Sequence, residues 1–185
     1  MVTAWVPMLA VGLPPAAPPA TQPVTWAAHD VNIRLYNLPQ RYSCDDLHRK
    51  FVDVLLVLGA HPDPKVLITR CESGSRSPGV RLQFSLPEIT EHASTRGVAV
   101  AATAVTVRIE PGHPVSLQAA DCELMRQIKD GLLAVVSQQV VSFNLACDAP
   151  ASRGARFNLS VRTLQPPGSG ARVANELEPP LRQLN

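Results

Sequence analysis

Residues 31–163 write one order of elements twice, strand, helix, strand, strand, with a cysteine pair at matching places in each copy. From Val31 the chain alternates. Val31, Ile33 and Leu35 take one face and Asn32, Arg34 and Tyr36 the other, the pattern of a half-buried strand. Pro39 and a short polar turn end it, and Ser43 then stands at a helix N-cap position with Asp46 three residues on. Leu47, Phe51, Val54, Leu55 and Leu58 form one helical stripe that closes near Gly59, and His61-Pro62-Asp63-Pro64 stops the helix. A strand from Lys65 to Cys71, a turn-rich loop over 72–79 and a second strand follow. In that second strand Leu82, Phe84 and Leu86 alternate with Arg81, Gln83 and Ser85.

The second copy keeps this order. Val105, Val107 and Ile109 alternate with Thr106, Arg108 and Glu110, and a turn at Pro111-Gly112 leads to a helix capped near Asp121. Its apolar stripe is Met125, Ile128, Leu132, Leu133 and Val136. A strand from Val140 to Cys147, a loop over 148–155 and a strand from Arg156 to Thr163 complete the unit. The sequence RLQFSL at 81–86 corresponds to RFNLSV at 156–161, each reading Arg, apolar, amide, apolar, Ser, apolar. We expect an internal duplication and an α+β class, with a β-α-β-β unit of the ferredoxin-like or split β-α-β type. Its helices would lie on one face of a mixed sheet or sheets.

Cys44 and Cys122 each stand just inside a helix start, and Cys71 and Cys147 each end the strand after that helix. If the strands flanking a helix are parallel neighbours, the helix runs back between them, and its first turn lies beside the end of the second strand. Cys71 would share a strand face with Leu67, the face that meets the helix. Of the three pairings open to four cysteines, the repeat selects Cys44–Cys71 and Cys122–Cys147. Two other readings stay open. Cys44, His48 and Cys71 offer a partial zinc set, although Arg126 replaces His48 in the second copy and no fourth ligand stands out. Buried reduced thiols in a cytoplasmic protein are the other. Disulfides point to an oxidising compartment.

Ten of the eighteen prolines crowd the ends of the chain, at 7–23 and 166–180, and separate a folded middle from its flanks. We divide the chain into a signal-like or disordered segment (1–28), a first repeat (29–86), a linker (87–103), a second repeat (104–164) and a disordered tail (165–185). Residues 2–13 form an apolar run of signal length, too short and proline-broken to span a membrane. No Lys or Arg precedes Arg34, and Thr25-Trp26-Ala27 is only a permissive cleavage site. The expected location is periplasmic or secreted, with the cytoplasm as alternative. A net charge of +2 marks neither a nucleic-acid footprint nor attraction to an anionic membrane.

No motif frames an active site. The five histidines are scattered, the serines of 72–79 sit in no nucleophile elbow, and Asp45 and Asp46 serve a helix start. His113 lies in a turn sequence, E-P-G-H-P. We expect no catalytic residue, metal or cofactor. The candidate binding face is the sheet surface away from the helices. Arg34, Tyr36, Arg81, Gln83 and Ser85 would share it with Arg108, Arg156, Asn158 and Ser160 of the other copy. Arginine beside amides and hydroxyls suits a protein or an anionic ligand.

IRLYNLP at 33–39, followed by helix, strand, loop and strand, resembles the opening of an RNA-recognition motif over about 55 residues. That family stacks bases on aromatics of its first and third strands. Here SPGVRLQFSL keeps the glycine, but Val80, Leu82 and Phe84 alternate as core residues, which leaves Tyr36 as the stacking candidate. The likeness is one of topology, and nucleic acid is not the expected partner. The expected function is a non-enzymatic secreted or periplasmic binding or accessory protein of unknown partner. The alternative is a cytoplasmic nucleic-acid-binding protein of RNA-recognition-like topology.

Overall fold

The computed structural model describes residues 21–71, 77–89, 99–112, 116–136, 138–147 and 156–167. The elements in order are β1 (Thr21–Arg34), α1 (Cys44–Val57), β2 (Lys65–Thr69), β3 (Gly79–Glu88), β4 (Val100–Ile109), α2 (Cys122–Ile128), β5 (Gln139–Ala146) and β6 (Arg156–Gln165). A 3₁₀ turn over Ala119–Asp121 leads into α2, and a π-helical stretch over Lys129–Leu133 prolongs it. The six strands form one sheet in the order β2-β3-β1-β4-β6-β5, and the class is α+β.

Each helix forms where its sequence signals fall. The Ser43 side chain accepts from the Asp46 N–H at 3.0 Å, which satisfies one of the unpaired donors of the first turn. The stripe Leu47, Phe51, Val54, Leu55 and Leu58 is buried, as is the stripe Met125, Ile128, Leu132, Leu133 and Val136. Both join Val31, Ile33, Val80, Leu82, Phe84, Phe157, Leu159 and Val161 in a single core. Burying a Leu or Phe side chain contributes about 1.5–3 kcal/mol, so a core shared by both halves ties their stabilities together.

Four expectations need correcting. The sheet is not mixed: all five ladders are antiparallel. The strands flanking α1 run in the same direction but are not neighbours, because β3 lies between them and is antiparallel to both. β6 does the same between β4 and β5. A short connection lets β3 pair with β2 at once, and antiparallel pairing needs no crossover. Second, β1 begins at Thr21, inside the segment expected to be signal-like or disordered, and Val24 is fully buried. Third, β4 begins at Val100, inside the expected linker. Fourth, Leu67 does not face the helices. It is 58% exposed, while Val66 and Ile68 pack on the core.

Two disulfides close the halves, Cys44–Cys71 with Cα atoms 5.5 Å apart and Cys122–Cys147 with Cα atoms 5.4 Å apart. The intervening β3 and β6 leave this proximity intact, because it depends on strand direction and not on adjacency. Cys71 reaches Cys44 although its alternation partner Leu67 points away. The backbone turns at Arg70, at φ 58°, just after β2 ends. Bonded to each other, Cys44 and Cys71 are not thiolates, which removes the zinc set that used them. Among the described residues no helix is long and apolar enough to cross a membrane.

Among the described residues only four pairs, Thr21–Val24 against Val100–Thr103, join the two halves through the sheet. Side chains complete the joint. The carbonyls that end α1 have no helical acceptor role left. Leu58 O accepts from Gln138 Nε2 at 3.0 Å and from the Thr163 hydroxyl, and Val57 O accepts from Gln165 Nε2 at 3.1 Å. In return, Gly131 of the α2 extension lies against Ile33 of β1 so closely that a Cβ there would stand 3.0 Å from the Ile33 side chain.

Candidate binding face

The two sets of candidate residues do not share one surface patch. Beyond the four-pair joint, β1 pairs with β3 through Thr25–Arg34, and β4 pairs with β6 through Thr103–Ile109. No cross-strand pair therefore sets Arg34, Arg81 or Gln83 beside Arg108, Arg156 or Asn158. The expectation of a common face is corrected to two separate groups.

In the first group, alternation puts Asp30, Asn32 and Arg34 of β1 on the side away from the core, together with Arg81 and Gln83 of β3. Asp30 stands opposite Gln83 and Asn32 opposite Arg81. The guanidinium of Arg81 grips Asp30 with two hydrogen bonds, Nε to Oδ1 at 3.1 Å and Nη2 to Oδ2 at 2.6 Å. Gln83 Nε2 donates to the same carboxylate at 3.0 Å. These bonds, Arg81's foremost, hold the Asp30 carboxyl down to about 2 and raise Arg81 in turn. Asp30 was not among the sequence candidates, although its place in the alternation, two residues before Asn32 and opposite an amide strand, was the available signal. Arg34 lies over the ring of exposed Tyr36, 5.7 Å from its centroid, and Tyr36 sits just past the strand end. Gln127 of α2 clasps the Tyr36 backbone, accepting from its N–H and donating to its C=O, both at 2.8 Å, as a neighbouring strand would.

Between these residues lies a groove of about 530 Å³, with Asn32, Arg34, Leu67, Thr69, Arg70 and Arg81 in its lining. A second groove shares Asn32, Ile33 and Arg34 and runs on past Tyr36 to Glu123, Arg126 and Gln127 of α2. Arg70, which sequence reasoning placed only in a strand, enters the first groove because its left-handed backbone turns the chain there. Leu67 supplies an apolar surface among three arginines. In the second group, Arg108 and Arg156 are exposed, Asn158 donates to Glu110 at 3.4 Å, and Ser160, expected on the surface, is buried beside Arg108 and Ser142 in the register.

The aromatic platform that the RNA-recognition likeness implies does not form on the open face. Phe84 is buried on the core side, stacked on His29 at 5.2 Å, and Tyr36 lies beyond β1. His92, His113 and the serines Ser73 and Ser75 lie outside the described residues.

One polar cluster escaped the sequence reading. Lys50 and Asp121 are 5% and 1% exposed, and their charged atoms meet at 2.9 Å. Asp121 also accepts from the Tyr42 hydroxyl at 2.8 Å, from Gln40 Nε2 at 2.7 Å and from the Gln118 N–H at 2.6 Å. Lys50 donates further to Ser116 O at 3.0 Å. Burial, foremost, pushes the Tyr42 hydroxyl far above its ordinary range, and the Asp121 carboxylate adds to it. The signal was present: Lys50 interrupts the Leu47–Phe51–Val54 stripe, and a charge on a buried stripe demands a partner. Asp121 was read as a helix cap, but its carboxylate makes no cap bond to α2. Every charged atom is partnered and closed from solvent, so the cluster is a clasp between halves rather than a reactive centre. Among the described residues no three His, Cys, Asp or Glu side chains are grouped to hold a metal. Compared with known proteins, the chain matches no family model, no curated protein and no solved structure.

Proposed function

We propose that this chain is a non-enzymatic secreted or periplasmic accessory protein that binds an anionic segment of a partner on the open face of its first half. The observation that carries this reading is the groove in which Arg34, Arg70 and Arg81 surround exposed Leu67, with no acidic side chain among the described residues of its lining and with Arg81 alone held by Asp30 from outside it. Guanidinium groups favour carboxylates and phosphates in bidentate geometry, and Leu67 offers apolar area beside them. The two disulfides suit an oxidising compartment. We also read the two halves as an internal duplication of split β-α-β type. It is supported by the repeated element order, the mirrored strand order and the matching sulfur pairs.

The test combines localisation and thiol trapping in the native host with pull-down. Exported, fully oxidised protein is expected, and Arg34→Ala with Arg70→Ala should abolish partner capture while Arg108→Ala with Arg156→Ala leaves it intact. A partner list unchanged by the first pair rejects the groove. Four free thiols in the native host reject export. If a leader is removed, the new N-terminus should fall at or before Thr21, because cutting after Ala27 would delete the β1–β4 ladder.

A further inference from the structure

We infer that β5 is the contact edge of a homodimer, in which two copies of this chain pair β5 against β5, antiparallel, across a two-fold axis. Among the described residues β5 has β6 as its one strand neighbour, so the outer row of its backbone N–H and C=O groups meets no ladder. Such an edge is a template for another strand, and proteins guard it with charge, proline, shortness or a bulge. The opposite edge of the sheet is guarded. β2 has five residues, begins with exposed Lys65 and is cut off by the left-handed turn at Arg70. β5 has eight residues, QVVSFNLA, without a charge or a proline, and its first four are all exposed. Val141 is 56% exposed, and Val135, at the end of the α2 extension, is exposed as well.

The bulge between Val140 and Ser142 disturbs one end only, and Ser142–Ala146 keep regular register with β6. A strand with no charge meets its own copy without like-charge repulsion, whereas a charged strand would leave its charges unanswered there. An antiparallel pair centred on Asn144 sets Phe143 on the same face as Leu145 of the second copy, and Ser142 opposite Ala146. The closed two-fold also hides both edges at once, which an open-ended pairing does not.

Sedimentation equilibrium of the oxidised full-length chain is expected to give a dimer that dissociates on dilution. Asn144→Lys places two ammonium groups face to face at the axis and should give a monomer with both disulfides and an unchanged circular dichroism spectrum. Hydrogen exchange provides a second readout without mutation, as β5 amides should gain protection with rising concentration while β2 amides do not. A wild-type monomer at all concentrations, a dimer that survives Asn144→Lys, or β5 protection independent of concentration overturns the inference. So does a dimer that appears only when residues 168–185 are deleted, since the tail would then be what covers the edge.

Discussion

The two halves share element order, strand arrangement and a sulfur bridge, yet they present different surfaces. The first half puts Asp30, Gln83 and three groove-lining arginines, Arg81 among them, on its open face and guards its edge strand. The second half buries Ser160, spreads its arginines, and leaves a long uncharged edge. Their helices differ too. α1 is regular and capped by Ser43, whereas α2 has no side-chain cap from Asp121 and loosens into a π-helical stretch. π-bulges are rare and tend to mark functional or strained places. Here Gly131 falls within that stretch, at the close approach to Ile33. One scaffold can therefore carry two surface chemistries, because the buried faces fix the fold while the outward alternation is free to vary.

The largest expected effect bears on whether the halves are independent. Asp121→Ala leaves the buried Lys50 ammonium with only the more distant Asp46 carboxylate, 3.8 Å away, and should cost about 3–5 kcal/mol in denaturant unfolding. A single cooperative transition that moves as a whole is expected; two transitions would show that the halves unfold separately.

Next come the bridges. Their separations of 27 and 25 residues are so similar that removing either pair, Cys44→Ala with Cys71→Ala or Cys122→Ala with Cys147→Ala, should cost about 3–4 kcal/mol in the chain-entropy model. A much smaller loss in one half, seen by chemical denaturation, would mean that its loop is already restrained when unfolded.

The two inter-half glycines sharpen the comparison further. Gly59 has φ 87°, and a Cβ there would lie 2.6 Å from the Leu164 carbonyl, which is backbone and cannot yield. Gly59→Ala should lower stability by about 1–3 kcal/mol. Gly131→Ala meets only the Ile33 side chain and gains up to about 1 kcal/mol of helix propensity, so its loss in melting temperature should be distinctly smaller.

The smallest effect is electrostatic. A carboxyl held low by partners in the folded state contributes stability at neutral pH, and that contribution fades as pH falls from the ordinary carboxylate range through its folded value. For Asp30 this window runs down to about 2. An NMR titration should find its midpoint there, and Arg81→Ala should return it towards the ordinary value; an unmoved midpoint would deny the Arg81 contact in solution.

Much of this architecture can be read from local pattern alone. Alternation located β3 and β6, stripe spacing located both helices, Ser43 marked a start and Gly59 an end, and the repeat chose the disulfide pairing. These succeed because each depends on neighbours within one or two turns, or on strand direction, which the order of elements already implies. What only the tertiary structure decided is adjacency. Sequence left open whether β3 would slip between β1 and β2, as in a split β-α-β unit, or leave them neighbours, because a hairpin and a crossover leave the same alternation behind. Nor could it tell that Leu67 would face outward, since Val66, Leu67 and Ile68 are all apolar and carry no period. The splitting of the arginine face and the Lys50–Asp121 clasp follow from how the halves meet. That meeting is made by a four-pair ladder and side chains reaching across between residues 66 to 80 apart in the chain, a distance over which local pattern holds no information.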